Sequence, residues 1–165
     1  MSEPTQAWQP PSARDRLRII RATRTVAIVG ASDNPARASY FVATYLLASS
    51  SYEVWFVNPW AREVLGRPVY PSLDALPGKP DLVDVFRRPS DLPEVLAETV
   101  AVGAATLWLQ LGLWDEHVAE GGRHAGLNVV MNRCLKIEHA RFHGGLHLAG
   151  FDTGVITSRR RPAAG

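Results

Sequence analysis

The sequence predicts an α/β fold, a Rossmann-like open parallel sheet of about five strands with helices on both faces. Five short apolar runs, TVAIV, VWFV, LVDVF, TLWLQ and NVVM, are rich in β-branched or aromatic residues, the pattern of strands covered on both sides. Segments with helical apolar spacing lie between them, and strand–helix alternation with right-handed crossovers gives a three-layer open sheet. The length of 165 residues fits one domain with a core of its own. At 46% apolar and 21% charged residues, a largely disordered chain is excluded.

Along the chain, residues 1–12 hold Pro4, Pro10 and Pro11 and read as a flexible lead-in. Ser12 then precedes an amphipathic stretch at 14–23, with Leu17, Ile19 and Ile20 to one side, read as a docking helix. Strands are expected at 25–30, 54–58, 82–86, 106–110 and 127–132, and helices at 36–48, 93–102 and 114–124. In the first of these helices Phe41, Tyr45 and Ala48, with Val42 and Leu46 beside them, share one side. The stretch 60–79, with Gly66, Pro68, Pro71, Pro77 and Gly78, reads as a short helix and an irregular crossover. The single domain is taken as 13–158, with the apolar segment 147–158 packing along the sheet edge or across a dimer interface, and 159–165 as a basic flexible tail.

The isoelectric point near 9.0 suggests nucleic acid until the charges are located. Residues 1–24 are net +3 and residues 159–165 another +3, so the body between them is −4. Basic excess at the two ends reads as solvated tails, since a nucleic-acid interface needs a charged face on the folded body. No apolar run approaches a bilayer span and no secretory apolar stretch opens the chain. One cysteine cannot form an internal disulfide. A reduced, cytoplasmic protein is expected, with no nucleic-acid or membrane partner.

In a doubly wound sheet, ligands bind at the carboxyl ends of the strands, facing the first strand-to-helix turn. Here that turn is Gly30-Ala31-Ser32-Asp33-Asn34-Pro35. Gly30 permits a sharp bend, Ala31 and Ser32 permit close backbone approach, and the following helix presents free N–H groups and a positive dipole end, a setting for pyrophosphate. The loop is not G-x-G-x-x-G, because Ser32 and Pro35 replace two glycines. At the end of the second strand a nicotinamide dinucleotide site carries an Asp or Glu for the ribose hydroxyls, whereas this chain has Val57-Asn58-Pro59-Trp60. The site therefore tolerates a phosphate on the ribose, with Arg62 and Arg37 as the cations placed to meet it.

Other residues read more plainly. Cys134 follows the last strand between Arg133 and Lys136, and is either a small buried hydrophobe or, if exposed, a thiol able to form a mixed disulfide with a thiol ligand. His139, His143 and His147 are spaced by four, but Gly144 and Gly145 break that helix and no Cys or acid completes a metal set, so they read as solvent-facing or interface residues. Core packing accounts for Trp55, Trp108 and Trp114, while Trp60, after Pro59 in a loop, is free to stack on a base. Asp81 and Asp84 fall on opposite strand faces and form no acid/base pair. No catalytic constellation and no metal site is read from the chain.

The series VAIVGAS (26–32), VNP (57–59), VDVFRRP (83–89), LWLQLG (107–112) and VVMNRC (129–134) resembles the small CoA-binding proteins. Their domain is similar to the N-terminal domain of the succinyl-CoA synthetase alpha subunit, and the match runs from about 25 to 140. The resemblance implies a pyrophosphate at Gly30, Ala31 and Ser32, with Asn34 in the same turn. It implies the 3'-phosphate end near Asn58, Pro59, Trp60 and Arg62, and an adenine and pantetheine path along Phe86, Arg87 and Arg88, closed by Gln110 and Gly112. The ligase's second domain with its phosphorylated histidine, its partner subunit and the lysine after its second strand have no counterpart here, so ligase activity by this chain alone is not expected. The expected role is non-covalent binding of CoA or acyl-CoA as sensor, carrier or subunit. The alternatives are a CoA-presenting subunit of an acyl-CoA ligase or transferase and an NAD(P)-type dinucleotide-binding regulator. A homodimer and a partner enzyme subunit both remain open as protein partners.

Overall fold

A computed structural model describes residues 7–143. Strand β1 (Thr25–Val29) lies between β2 (Glu53–Val57) and β5 (Leu82–Val85), and β6 (Thr106–Leu109) and β7 (Asn128–Val130) continue beyond β5, all parallel. On the other side β4 (Arg67–Tyr70) pairs parallel with β2 and antiparallel with the two-residue β3 (Glu63–Val64). The sheet thus has seven strands in the order β3-β4-β2-β1-β5-β6-β7, where about five were expected. Both additional strands come from 60–79, expected to be a short helix and crossover. Leu65 (φ 50°) and Gly66 (φ 74°) both take left-handed backbone, the two-residue turn whose twist suits a hairpin. Pro68, in the stretch read as a crossover, sits in this edge hairpin, where a missing ladder donor is tolerated.

The helices divide between two faces. Helices α1 (Ala13–Ala22), α2 (Ala38–Ser49) and α5 (Leu135–His143) cover Val26, Ile28, Phe56, Leu82, Trp108 and Val130. Helices α3 (Leu92–Val102) and α4 (Glu116–His124) cover Ala27, Val29, Val85, Leu107, Leu109 and Val129. Successive strand residues alternate between these two cores, which is why the runs read as continuously apolar. Ser12 and Asp15 form the capping box that starts α1: Ser12 Oγ accepts from the Asp15 backbone N–H (3.1 Å) and Asp15 returns the contact to the Ser12 N–H (3.3 Å).

Three expectations change. Arg16 is not part of a solvated tail: it is buried, with Nε 3.0 Å from Glu138 Oε2, and joins α1 to α5. His139 is not solvent-facing, because α5 begins at Leu135 and places His139 on the same buried stripe as Leu135 and Phe142. Its Nδ1 lies 2.9 Å from the Tyr45 hydroxyl and its ring stacks on His143, while burial and His143 lower its pKa to about 4. Trp114 is half exposed rather than packed in the core. It meets Trp8 edge-on at 5.6 Å, within the segment expected to be a lead-in. The Trp8 backbone N–H donates to Glu120 and its indole N–H to the Val129 carbonyl (3.1 Å). His147, the segment 147–158 and the tail 159–165 lie outside the described residues. Among the described residues, no helix is long and apolar enough to cross a membrane.

Candidate functional site

The chain leaves β1 through α2 to β2 on one side, then returns to place β5 on the other, so the strand order reverses between β1 and β5. A crevice opens at such a switch point beyond the carboxyl ends of the strands. Gly30 makes the turn there at φ +86°, and a Cβ on it would lie 2.2 Å from the Phe86 carbonyl oxygen, so no other residue fits. Its N–H and that of Ala31 both donate to the Val57 carbonyl, at 2.9 and 3.3 Å. Asn58 locks the neighbouring turn to this one, donating from Nδ2 to the Ala31 carbonyl (2.7 Å) and accepting at Oδ1 from the Trp60 N–H (2.8 Å). Within the loop, Ser32 Oγ accepts from the Asn34 N–H (3.1 Å) and Asn34 Oδ1 from the Ala36 N–H (2.9 Å).

The crevice widens into an open cleft of about 670 Å³ that runs along the sheet edge in strand order. Asn58 follows β2, Gly30 and Ser32 follow β1, and Phe86 and Arg87 follow β5. Gln110, Leu111 and Leu113 follow β6, then Cys134, Lys136 and Ile137 beyond β7. Arg37 and the first turn of α2 form a wall. Three cations, Arg37, Arg87 and Lys136, line the cleft and no carboxylate does, although the body of the chain is net −4. Gln110 is buried, and its Oε1 accepts from the Leu135 N–H (3.1 Å), fixing the start of α5 beside β6.

The CoA binding domain family matches residues 24–140. The chain belongs to this family. The protein YneT of Bacillus subtilis (strain 168) is 36% identical over 132 residues, covering 80% of this chain and 97% of that one. A hypothetical protein from Pyrococcus horikoshii OT3 is 35% identical at a TM-score of 0.78, covering 87% of this chain and 100% of that chain. The fold is also shared with a dinucleotide forming acetyl-coenzyme A synthetase 1 of Ca. Korarchaeum cryptofilum, at 20% identity and a TM-score of 0.60 over 67% of this chain and 26% of that one.

The residues of this CoA binding domain fit the group that gives the family its name. CoA joins phosphates to a long, largely neutral arm, and the cleft offers cations and side-chain amides together with apolar walls. Of the residues read from the sequence, Gly30, Ser32, Arg37, Asn58, Phe86, Arg87 and Gln110 come together on the cleft. Ala31 is buried behind the turn, and the Asn34 side chain accepts from the loop's own backbone. Pro59, Trp60 and Arg62 form an exposed flank beyond Asn58, with Trp60 91% exposed. Arg88 points outward beside Asp91, and the Gly112 N–H donates to Asn132 Oδ1 (2.8 Å) outside the cleft lining.

The sequence reading missed the α2 wall, Ala38 to Val42, and the apolar residues Leu111, Leu113 and Ile137. The helical stripe of Phe41, Tyr45 and Ala48, with Val42 and Leu46 beside it, reads as one packed side. Val42 is buried as expected, but Phe41 is turned out into the cleft. Leu111 and Leu113 flank Gly112 after a strand end, and an apolar pair in a ligand-facing loop was the available signal. Asp84, fully buried on β5 between Ile28 and Trp108, has no hydrogen-bond partner for either carboxylate oxygen. Burial raises its pKa well above the usual carboxylate range.

Proposed function

We propose that this chain binds CoA non-covalently in the cleft, as a cytoplasmic sensor, carrier or subunit rather than as a catalyst. The reading rests on one observation above the rest: three cations and no carboxylate line a cleft at the strand-order reversal of a CoA binding domain. In this reading Gly30 only shapes the turn, its N–H being held by Val57, and the pyrophosphate is taken by Ser32, the first turn of α2 and the charge of Arg37. Asn58 and the flank at Arg62 face the ribose phosphate, and Arg87 holds the phosphate side of the arm. The arm itself then runs toward the ends of β6 and β7. Asn58 in place of an acid disfavours NAD, whose ribose hydroxyls need a carboxylate there, whereas Asn58 Oδ1 already accepts from the Trp60 N–H. Calorimetry tests this: CoA binds more tightly than NAD, and equal or reversed affinities overturn it. A second role, presenting CoA to an acyl-CoA ligase or transferase partner, takes support from the fold shared with the acetyl-coenzyme A synthetase; a stable partner at pull-down distinguishes it.

A further inference from the structure

Six large hydrophobic side chains are exposed among the described residues, and three of them, Phe41 (57%), Leu111 (58%) and Ile137 (49%), line the same cleft. Water-exposed apolar groups gathered on one rim mark a surface that is covered in use. Strand order fixes where this rim lies. The side chain of Asn58 and the turn at Gly30 belong to the β2 and β1 end of the cleft, whereas Leu111 follows β6 and Ile137 lies beyond β7. Phe41 joins them from α2, which packs on α5 through the Tyr45 and His139 contact.

A nucleotide held at the β1 and β2 end directs its arm toward this rim, so the rim meets whatever the arm carries. From this, and resting on the CoA-binding reading, we infer that the ligand is a CoA thioester with an unbranched apolar acyl chain, which lies across Phe41, Leu111 and Ile137. Lys136 lines the same end, but its Nζ sits 5.9 Å over the Tyr45 ring and is drawn toward α2. An acyl group ending in a carboxylate therefore gains less here than a hydrocarbon one.

Calorimetry with CoA, acetyl-CoA, butanoyl-CoA, octanoyl-CoA and succinyl-CoA tests the assignment. Affinity rises roughly two- to fourfold per methylene laid on the rim, the upper figure corresponding to full burial. Butanoyl-CoA binds more tightly than succinyl-CoA, and the double variant Leu111→Ser, Ile137→Ser brings the octanoyl-CoA to CoA affinity ratio close to one. Arg87→Ala weakens all five ligands and leaves that ratio as it was. CoA binding with no gain along the acyl series overturns the inference and leaves the CoA reading standing, whereas failure of all five ligands to bind overturns the CoA reading itself. Succinyl-CoA binding above butanoyl-CoA also overturns it. So does a flat acyl series together with a dimer, seen by light scattering, that the double variant abolishes, since a second copy of the chain would then cover the rim.

Discussion

Arg87 and Asp84 sit three residues apart at the end of one strand, yet one faces the cleft and the other the interior. Arg87 Nε is 3.3 Å from Asp91, a partly exposed pair that contributes about 0–1 kcal/mol to stability. Arg87→Ala should weaken CoA binding by about 1–3 kcal/mol by calorimetry while the Tm stays nearly unchanged. Asp84 behaves oppositely. Its folded pKa is raised, so as pH climbs past about 4 the unfolded chain loses the proton that the folded state keeps, and stability falls until the folded pKa is reached. Asp84→Asn should raise the Tm at pH 7, with a gain that shrinks as pH falls to about 4; a constant difference would refute the linkage. Cys134, half-buried on the cleft, should exchange with CoA disulfide, forming one Cys134–CoA disulfide and releasing one CoA thiolate. Mass spectrometry should show a single CoA adduct, absent in Cys134→Ser. At this scale the sequence disclosed residues whose duty is local, such as Gly30 at its turn and Arg87 at its strand end. The unpartnered state of Asp84 was hidden, because its neighbours Ile28 and Trp108 come from strands far away in the chain.

The contact between α2 and α5 depends on a histidine that stays neutral. His139 has a folded pKa of about 4 against an unfolded value of about 6.5, so as pH falls through that window the unfolded chain takes up a proton that the folded one refuses. The stability it contributes is present above pH 6.5 and is lost on acidification toward pH 4. Urea midpoints should therefore fall over this window in the wild type and fall less in His139→Gln. Elements with a strong local signature were legible: all five predicted strands match within two residues at each end, and four of them within one. The last was expected at 127–132, whereas β7 covers Asn128–Val130. The β3–β4 hairpin was not legible, since EV and RPVY form no continuous apolar run and lie in the Gly- and Pro-containing stretch 60–79 that read as a crossover. Helix α5 was partly missed for a related reason. Its histidines stood out as a spacing pattern, while the buried stripe of Leu135, His139 and Phe142 shows only once the helix start is known.

The whole molecule distributes charge by position in the fold rather than along the chain. Basic residues near the N-terminus divide between surface positions and the buried Arg16–Glu138 pair, which Arg133 and Arg141 also approach at 3.4 and 3.7 Å. A net charge summed over a segment could not reveal that, because the pairing is made between α1 and α5. The placement of Trp8 has a consequence of a different kind. Strand β7 closes one side of the sheet, and Asn128 donates inward to Ala105, so the Val129 carbonyl faces outward where a further strand would add. An unpaired strand border is a template for pairing with another chain. The Trp8 indole occupies that acceptor, so the segment from Trp8 to Ser12 should hinder sheet-to-sheet association. Deleting residues 1–11 should leave the fold intact but add a concentration-dependent association step in sedimentation velocity that Val129→Pro does not support. If the shortened chain sediments like the full one at every concentration, the border is protected by its short length alone.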